Sequence, residues 1–571
     1  MREKKGEREF SFFGLLLLNQ FVVAKNKNMK KKITLLGLAF IFSFQTFPQI
    51  LNWDWANSSG GANYDYGTGI SIDANGNNYV TGWFKSTSIA FGSTTLINAG
   101  DWDIFIAKHD SSGNIIWAQQ AGGSWEDVGN DICTDLNNHI YLTGEFQSPT
   151  ITFGSTILSN TGSSDFFLTK YDSSGNIIWA RSAIGASTDF GNGVCADADG
   201  NVYATGYFYS STITFGSFVL TNAGHRDIFI VKYDSSGNVL WAKSAGGVNW
   251  EDGNSITTDG NGNAYVTGIF TSSAIIFGID TLVNAGAFDV FVVKYDSSGN
   301  TLWAKSGGGS GTDIAYSIYS STGNTLYLTG YFTGPSITFG SITLNNPGIF
   351  VTKYDSSGNV LWANEAIGGA SQGNCVTADG NDNSYVTGNF SSNSIAFGSI
   401  VLTNSNPGSH EIFVTKYDVS GNVIWAIGNG GSLIDESMGI SVLGNSSIYV
   451  TGRFWSPSIS FGSTTLINAG FADILTAKLM QDFPTIITHE LYPSISIQIS
   501  PNPATTEVTI NFGKAERYDV LLCNTLGEIL FQTTTNTEQM EIDVRDFSKG
   551  IYFVSVRDEK NNLVVRKIVK M

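Results

Sequence analysis

The stretch Lys232–Ala242, KYDSSGNVLWA, returns almost unchanged along this chain of 571 residues. Its tryptophan recurs seven times, and the first five copies lie 62 residues apart. The seven copies are Trp55, Trp117, Trp179, Trp241, Trp303, Trp362 and Trp425. A constant period of this length indicates one supersecondary unit repeated along the chain. We interpret the repeated Trp as a structural packing residue, because apolar positions that recur in every unit are typical of a core.

Each unit has the pattern of four β-strands joined by tight turns. In the unit that follows Trp179, strands are predicted at 193–197, 202–208, 227–233 and 239–243, and a small inserted hairpin pivots on Gly216. Asp, Asn and Gly occupy the predicted turns, and Val, Ile, Phe and Tyr fill the strands. A Thr-Gly pair marks the second strand of seven units, and four strands repeated radially are typical of a β-propeller.

The two ends of the repeat region complement each other. The first Trp strand, Leu51–Ala56, precedes any Thr-Gly pair, whereas the last unit, Gly439–Leu479, has three strands and no Trp strand. We therefore predict that Leu51–Asn57 pairs with Asp473–Leu479 and closes the ring. A stacked solenoid is the alternative, but its terminal repeats need atypical caps, and these ends are typical units.

The predicted fold is all-β. A seven-bladed β-propeller with four strands per blade covers residues 50–480, and its N-terminal strand closes the last blade. A linker follows over 481–494, and a small Ig-like β-sandwich over 495–571 has alternating strands.

The N-terminus has the pattern of a secretory signal peptide over residues 29–49. Basic residues at 30–32 precede a short apolar run that is too brief for a membrane-spanning helix. We interpret residues 1–28 as an over-extended reading frame, with a membrane anchor over Phe10–Ala24 as the competing interpretation. No membrane span is expected in the mature form.

Charge and cysteine content exclude several classes of function. The formal net charge is −18, which disfavours binding to nucleic acid and to anionic membranes but allows cations. The four Cys contain no CxxC pair, so neither a disulfide framework nor a zinc site is predicted.

A carboxylate recurs ten residues after the repeated Trp in six units, on the face that should carry the links between blades. These residues are Asp65, Asp127, Asp189, Glu251, Asp313 and Asp435, and the flanking aromatic residues are Tyr64, Trp125 and Trp250. One interpretation is a ring of acids with aromatic platforms that binds a cation or a sugar. The other, which we favour, is that each acid accepts backbone N–H bonds and shapes its loop.

Calcium is a further candidate ligand, and no other cofactor is expected. Asp197–Asn201 resembles the start of an EF-hand loop, but the distal Glu is absent and other units lose the second acid, which favours a turn. No G-x-S-x-G, HExxH or phosphate-binding loop occurs, and the five His are not periodic. We therefore expect no catalysis.

The last 75 or so residues carry a set of short motifs. They are Ser500–Ala504 (SPNPA), Asn524–Glu528 (NTLGE), Lys549–Tyr552 (KGIY) and Lys567–Lys570 (KIVK). As a set they resemble the type A C-terminal sorting domain of the type IX (Por) secretion system of Bacteroidetes. The matching residues include Pro501, Asn502, Pro503, Gly550, Tyr552, Lys567 and Lys570.

This resemblance implies export across the outer membrane, with the type IX machinery as partner and a secreted or cell-surface location. The repeat units resemble SBBP-type β-propeller repeats of bacterial surface proteins, which implies architecture rather than activity. We expect a monomeric binding or adhesion module with a glycan, protein or cation ligand. A polysaccharide hydrolase or lyase with its site at the channel mouth, and a structural surface scaffold, are the alternatives.

Overall fold

The computed structural model describes residues 50–482, 497–524, 529–545, 547–559 and 563–571. The interpretations of residues 1–28 and of the signal peptide at 29–49 fall outside these ranges, as do nearly all of the predicted linker and residues 525–528 of the NTLGE motif. Within the described ranges, every regular element is a β-strand, and none is a helix long and apolar enough to cross a membrane.

Residues 50–482 form seven antiparallel sheets in which a first strand pairs with a second, the second with a third and the third with a fourth. The first strands are β2 (Asp65–Ile72), β8 (Asp127–Thr134), β15 (Asp189–Ala196), β21 (Glu251–Thr258), β27 (Asp313–Ser320), β33 (Ser371–Ala378) and β39 (Asp435–Leu443). The second strands are β3 (Asn78–Phe84), β9 (Ile140–Phe146), β16 (Val202–Phe208), β22 (Ala264–Phe270), β28 (Leu326–Phe332), β34 (Ser384–Phe390) and β40 (Ser447–Phe454).

The outer half of each sheet consists of the third and fourth strands. The third strands are β6 (Asp103–His109), β12 (Asp165–Tyr171), β19 (Asp227–Tyr233), β25 (Asp289–Tyr295), β31 (Gly348–Tyr354), β37 (Glu411–Tyr417) and β43 (Asp473–Asp482). The fourth strands are β7 (Ile115–Ala121), β13 (Ile177–Ser182), β20 (Val239–Ala245), β26 (Thr301–Gly308), β32 (Val360–Glu365), β38 (Val423–Asn429) and, in the seventh sheet, β1 (Ile50–Ser59).

The predicted hairpin is present in every unit, between the second and third strands. Its strand pairs are β4 (Ser88–Phe91) with β5 (Thr94–Ile97), β10 (Thr150–Phe153) with β11 (Thr156–Ser159), β17 (Thr212–Phe215) with β18 (Phe218–Thr221), β23 (Ala274–Phe277) with β24 (Asp280–Val283), β29 (Ile337–Phe339) with β30 (Ile342–Leu344), β35 (Ser394–Phe397) with β36 (Ile400–Thr403), and β41 (Ser458–Phe461) with β42 (Thr464–Ile467). A two-residue strand, β14 (Ile184–Gly185), pairs with β17.

The seven sheets form a closed, propeller-like ring. Each first strand contacts the first strand of the next sheet, and β39 of the last sheet contacts β2 of the first. The predicted pairing of the chain ends is present, since β1 runs antiparallel to β43 from Leu51 opposite Gln481 to Ser59 opposite Ile474. Apolar clusters form between adjacent sheets; one joins Phe166 and Leu168 of the second sheet to Val202 and Phe229 of the third.

The repeated KYDSSGN and Trp residues connect neighbouring sheets. Trp179 donates its indole N–H to the carbonyl oxygen of Ser235, 56 residues later, at 3.1 Å, and Lys170 donates to the same oxygen at 3.2 Å. Gly237 of that turn packs on the Trp179 ring. Three of the seven tryptophans are buried and four are half-buried. Six of the seven donate in this way to a turn carbonyl of the next sheet.

The Thr-Gly glycine is required by a close backbone approach. A Cβ at Gly206 would lie 1.8 Å from the carbonyl oxygen of Phe190, beside a bulge between Gly191 and Gly193. We expect Gly206→Ala to destabilise the ring by about 2–3 kcal/mol, because backbone rather than a flexible side chain must move. Gly260→Ala, where nothing lies within 4 Å, is the control. Equal urea midpoints for the two variants would contradict this prediction.

The C-terminal segment forms two sheets. They contain β44 (Gln498–Ser500), β45 (Glu507–Asn511) and β48 (Gln539–Asp543) in one, and β46 (Tyr518–Asn524), β47 (Ile529–Thr535), β49 (Gly550–Asp558) and β50 (Leu563–Lys570) in the other. Their apolar side chains share one buried cluster, for example Val508 and Ile510 with Val520 and Val554, so the two sheets pack face to face.

Candidate functional site

The predicted acids lie at the starts of the first strands and are buried. Asp65 is typical: its carboxylate accepts the Gly61 N–H at 2.8 Å, the Ser86 hydroxyl at 2.6 Å and the Lys85 and Ser86 N–H groups at 3.1 Å. All six acids are at most 1% exposed. Their position is that of loop-shaping residues, and a ligand on the surface would not reach these carboxylates directly.

A second row of acids, which sequence analysis did not single out, begins the third strands. It contains Asp103, Asp165, Asp227, Asp289, Glu411 and Asp473. Each begins its strand beside the first-strand acid of the next sheet; thus Asp127 N–H bonds the Trp102 carbonyl at 2.8 Å. Burial, with a smaller contribution from Asp127, raises the pKa of Asp103 to about 7.

The same arrangement raises the pKa of acids around the ring. Burial and the nearby Asp289 raise the pKa of Asp313 to about 7, and burial with Glu251 raises that of Asp227 to about 6. Burial likewise raises the pKa of Asp189 and Asp473 to about 6. Several Asp carboxyl groups at the junctions therefore have pKa values above the ordinary range of Asp.

The three predicted aromatic residues are accessible on the face where the sheets are linked. Trp125 is 60% and Trp250 42% exposed, and Tyr64 is half-buried. Tyr64 stacks on Phe471 with 5.1 Å between ring centroids, and Trp250 lies 5.5 Å from the ring of His225. The accessible groups at this face are thus the aromatic rings and not the predicted acids.

Five aromatic side chains lie in series from the junction of the seventh and first sheets to that of the first and second, and we call them the aromatic arc: Phe471, which is exposed, and Tyr64, Tyr66, Trp83 and Trp102, which are half-buried. Tyr66 lies 4.2 Å from Trp83, and Trp83 stacks on Trp102 at 4.3 Å with an interplanar angle of 12°. Tyr64 links the stack to Phe471.

Cationic side chains border the aromatic arc. Arg453 lies 4.0 Å from the Tyr66 ring centroid and pairs with Glu436, and Lys85 lies 5.7 Å from the Trp102 ring. Both cations lie over ring faces, so the arc combines aromatic surface with charged groups, and such a surface suits a ligand that has one apolar face and a polar rim.

Arg226 organises a second cluster where the third and fourth sheets meet. Its guanidinium lies 4.6 Å from the Tyr207 ring and 5.0 Å from the Trp250 ring, donates to the Tyr209 hydroxyl at 3.0 Å and pairs with Asp252 at 2.5 Å. Because its cation is already paired, this cluster offers mainly aromatic surface.

The junction of the fifth and sixth sheets departs from the other six. Six junctions have a parallel bridge between the residues that precede the third-strand and first-strand acids; among the described residues none is present here. Gly348 and Ser371 stand in place of the two acids. A cavity of about 400 Å³ lies here, lined among others by Tyr331, Gln372 and His410.

Apart from Tyr64, the residues of the aromatic arc and of this cavity were not identified from the sequence, although a pattern in the repeats marks several of them. Four positions in each unit vary while their neighbours repeat: those before and after the first-strand acid, after Thr-Gly, and before the third strand. In the first sheet they hold Tyr64, Tyr66, Trp83 and Trp102. Variation next to invariant residues could have identified these positions, but only the fold shows that they lie together.

The tight turns use their Asp oxygens internally. Asp197 Oδ1 accepts the N–H groups of Asp199 at 3.1 Å and Asn201 at 2.9 Å, and its Oδ2 accepts the Tyr203 hydroxyl at 3.1 Å. Across the described ranges, no group of three or more His, Cys, Asp or Glu side chains is placed to hold a metal ion.

Two of the predicted sorting residues connect the first motif to the last strand. Asn502 donates to the Lys567 carbonyl at 2.7 Å and accepts the Val569 N–H at 2.9 Å, and Lys570 donates to the Thr505 carbonyl at 2.6 Å. Tyr552 donates to the Ser548 carbonyl at 2.7 Å. The SPNPA and KIVK motifs therefore form one structural unit.

Residues 498–571 match the family model of the secretion system C-terminal sorting domain. The chain thus carries a type IX sorting domain and is exported through that system, to the cell surface or into the medium.

Over 508 residues the chain is 23% identical to an uncharacterised WD repeat-containing protein of Acanthamoeba polyphaga mimivirus, covering 71% of this chain and 36% of that protein. The chain thus spans about a third of that relative's length. Among solved structures, PorZ of Porphyromonas gingivalis is similar at a TM-score of 0.35 and 13% identity, over 88% of this chain and 59% of PorZ. The phage phi92 endosialidase is similar at a TM-score of 0.34 and 11% identity, over 92% of this chain and 79% of the endosialidase chain.

Proposed function

We propose that residues 50–482 form a seven-bladed β-propeller of SBBP type that binds glycans outside the cell, followed by an Ig-like sorting domain of type A. The observation that carries the proposal is the aromatic arc, in which the half-buried ring of Trp83 stacks on Trp102 and lies next to Tyr66. A pyranose ring has an apolar face and a rim of hydroxyl groups, which matches aromatic rings that are accompanied by the cations of Arg453 and Lys85.

Export supports an extracellular ligand, and the geometry of the acids favours binding over catalysis. The paired carboxyl groups at the junctions are buried, and most of them, such as Asp65 and Asp127, accept loop amides, so they are poorly placed to donate protons to a glycosidic oxygen. We propose that the protein acts as a monomeric binding or adhesion module, without turnover and without a cofactor. Glycan binding that survives EDTA, with no product released, is the expected behaviour.

Trp83→Ala is expected to weaken glycan binding by about tenfold or more, since aromatic anchors dominate such surfaces. Trp83→Phe keeps a flat ring and should retain most of the affinity. Ile276→Ala, at a residue 60% exposed on the hairpin strand β23, is the matched control and should bind as the parent does. A glycan array on the full chain finds the ligand, and calorimetry measures the variants.

Equal binding by Trp83→Ala and the parent would contradict the role of the aromatic arc. A parent that binds nothing on the array would contradict the glycan function itself. Release of shortened sugars would instead support the hydrolase or lyase alternative.

A further inference from the structure

The junction between the fifth and sixth sheets lacks two carboxylates that the other six junctions contain. Gly348 begins the third strand of the fifth sheet, and Ser371 begins the first strand of the sixth. The chain between Phe339 and Gly348 is also shorter than its equivalents, such as Phe277 to Asp289. Both halves of the acid pair are therefore lost together, and a cavity of about 400 Å³ is found at this place.

At other junctions, the acid that begins the first strand accepts hydrogen bonds from a loop serine of its own sheet. In the second sheet, the Asp127 carboxylate accepts hydrogen bonds from the Ser148 N–H at 3.1 Å and from the Ser148 hydroxyl at 2.7 Å. In the seventh sheet, Asp435 accepts the N–H and the hydroxyl of Ser456. The equivalent of Ser148 in the sixth sheet is Ser392, whose hydroxyl bonds the Ser394 carbonyl at 2.9 Å instead. Among the described residues, no carboxylate accepts the Ser392 N–H.

The wall of the cavity is largely apolar and includes Phe332, Pro347 and Ala370, and its polar members include one histidine and no acid. Ser371, Gln372, Asn389 and His410 contribute to the wall, and none of the residues that line it is Asp or Glu. The Nδ1 atom of His410 lies 3.0 Å from Glu436, which leaves Nε2 as the ring nitrogen available to a ligand. Every other junction would repel an anion with its own pair of acids, whereas Glu436, the acid that contacts His410 here, is paired with Arg453.

We infer that this cavity binds the carboxylate of an acidic sugar, which takes the place that Asp carboxylates occupy in the other junctions. An ionised carboxylate forms stronger hydrogen bonds than a neutral group, and its desolvation is offset only where several donors meet it. The assignment to a sugar rests on the proposed glycan function, because Tyr331 and the aromatic arc lie on the same face. The assignment of the carboxylate rests on the cavity alone.

The probes are glucuronate and glucose, which share a ring and differ in one carboxylate. Ligand-observed NMR titration of the full chain should show glucuronate binding about tenfold or more tightly than glucose, a difference of about 1.4 kcal/mol. Ser371→Asp restores the junction carboxylate and should lower the affinity for glucuronate by about tenfold or more. Ser371→Asn has nearly the same shape without charge and should stay within about threefold of the parent.

Trp83→Ala separates this site from the aromatic arc, and thermal melts of each variant check that the ring is folded. Glucuronate binding that persists in Trp83→Ala and is lost in Ser371→Asp supports the inference. Equal affinity for glucose and glucuronate, or full binding by Ser371→Asp, overturns it.

Neutral glycans that bind at the aromatic arc while glucuronate does not bind overturn the cavity site and leave the proposed function standing. Absence of both kinds of binding in the parent overturns the two proposals together. An acetylated Asp-containing peptide that binds in place of glucuronate overturns the assignment to a sugar.

Discussion

Deleting residues 50–58 is expected to open the ring of sheets and to abolish its single cooperative unfolding transition. The segment provides nearly all of β1, which pairs along its length with β43. Trp53 and Ala56 are buried in the cluster between the sixth and seventh sheets. Burial of a large aromatic side chain and its neighbours is worth about 2–3 kcal/mol per residue. Without β1, the edge of β43 is exposed to pairing with other chains.

The deletion also removes the contacts that join the seventh sheet to the first. Trp55 donates to the Ser111 carbonyl at 3.1 Å and Asn57 donates to the Gly113 carbonyl at 2.6 Å. Within the seventh sheet, the deletion also removes the pair of Asp54 with Lys478 at 2.9 Å. We expect broad, separate transitions in calorimetry and self-association in light scattering. A synthetic peptide of residues 50–59 added in trans should restore part of the transition, and a scrambled peptide should not. A deletion variant that melts within a few degrees of the parent in one transition would show that the ring does not depend on this strand.

The strands and the closure of the ring could be predicted because they depend on local patterns that repeat. The strand predicted at 202–208 is β16 and that at 227–233 is β19, since turn residues and β-branched runs set their bounds. The first strand begins earlier than predicted, at Asp189, because Phe190 and Gly191 pair across a bulge that breaks alternation. The domain boundaries stay predictions.

The contacts between sheets could not be predicted in the same way. The period shows that Trp and Lys recur, but not that they bind a turn 56 residues later. In the last such contact of residues 50–482, the side chain of Gln481 takes the place of the turn: its oxygen accepts hydrogen bonds from Lys416 at 3.1 Å and from Trp425 at 2.9 Å. Gln481 lies after the last repeat and has no equivalent in the other units, so periodicity could not predict its role.

The candidate site was predicted only in part for a related reason. The acids were recognised as periodic, and both interpretations were open because burial depends on what lies opposite each acid. The opposite groups are the third-strand acids of the preceding sheet, such as Asp103 beside Asp127. The cavity is lined by Gly348 and Ser371, which lie far apart in the repeat pattern and meet only in the folded chain, so the sequence did not identify them as a site.

The ring is expected to lose stability as the pH rises from about 5 to about 7.5. Burial holds the pKa of Asp103 and Asp313 at about 7 and that of Asp189, Asp227, Asp289 and Asp473 at about 6. The unfolded chain has ordinary Asp pKa values of about 3.9, so between about pH 4 and pH 7 the folded state binds more protons. Stability contributed by these acids is therefore complete below about pH 4 and lost by about pH 7.

The expected loss over this range is on the order of 5 kcal/mol, because each pKa unit corresponds to about 1.4 kcal/mol and six acids share the effect. This figure allows for water that reaches the partly open junctions. Urea denaturation at pH 5.0 and pH 7.5 measures it. Turn acids such as Asp110, whose pKa is lowered chiefly by its hydrogen bond from Asn114, are ionised at both values and do not contribute.

Asp103→Asn tests, at one junction, whether the buried acids cause the loss of stability at higher pH. The amide oxygen can still accept the Ala99 N–H, which Asp103 binds at 2.7 Å, and the neutral side chain cannot repel Asp127. The variant should be more stable than the parent at pH 7.5 and should differ less between the two pH values. Asp110→Asn, in an exposed turn of the same sheet, is the control and should leave the pH difference unchanged. Destabilisation by Asp103→Asn at both pH values would contradict the argument.

The net charge of −18 would also weaken the fold as the pH rises, so the two causes must be separated. Repulsion between distant surface charges is screened at about 0.5 M salt, where the Debye length falls to about 4 Å. Desolvation of a buried carboxyl group is not screened, because ions do not enter the junction. A pH difference that persists in high salt and shrinks in Asp103→Asn therefore belongs to the acid pairs. A difference that disappears in high salt belongs to the surface and would leave the junction acids without effect on stability.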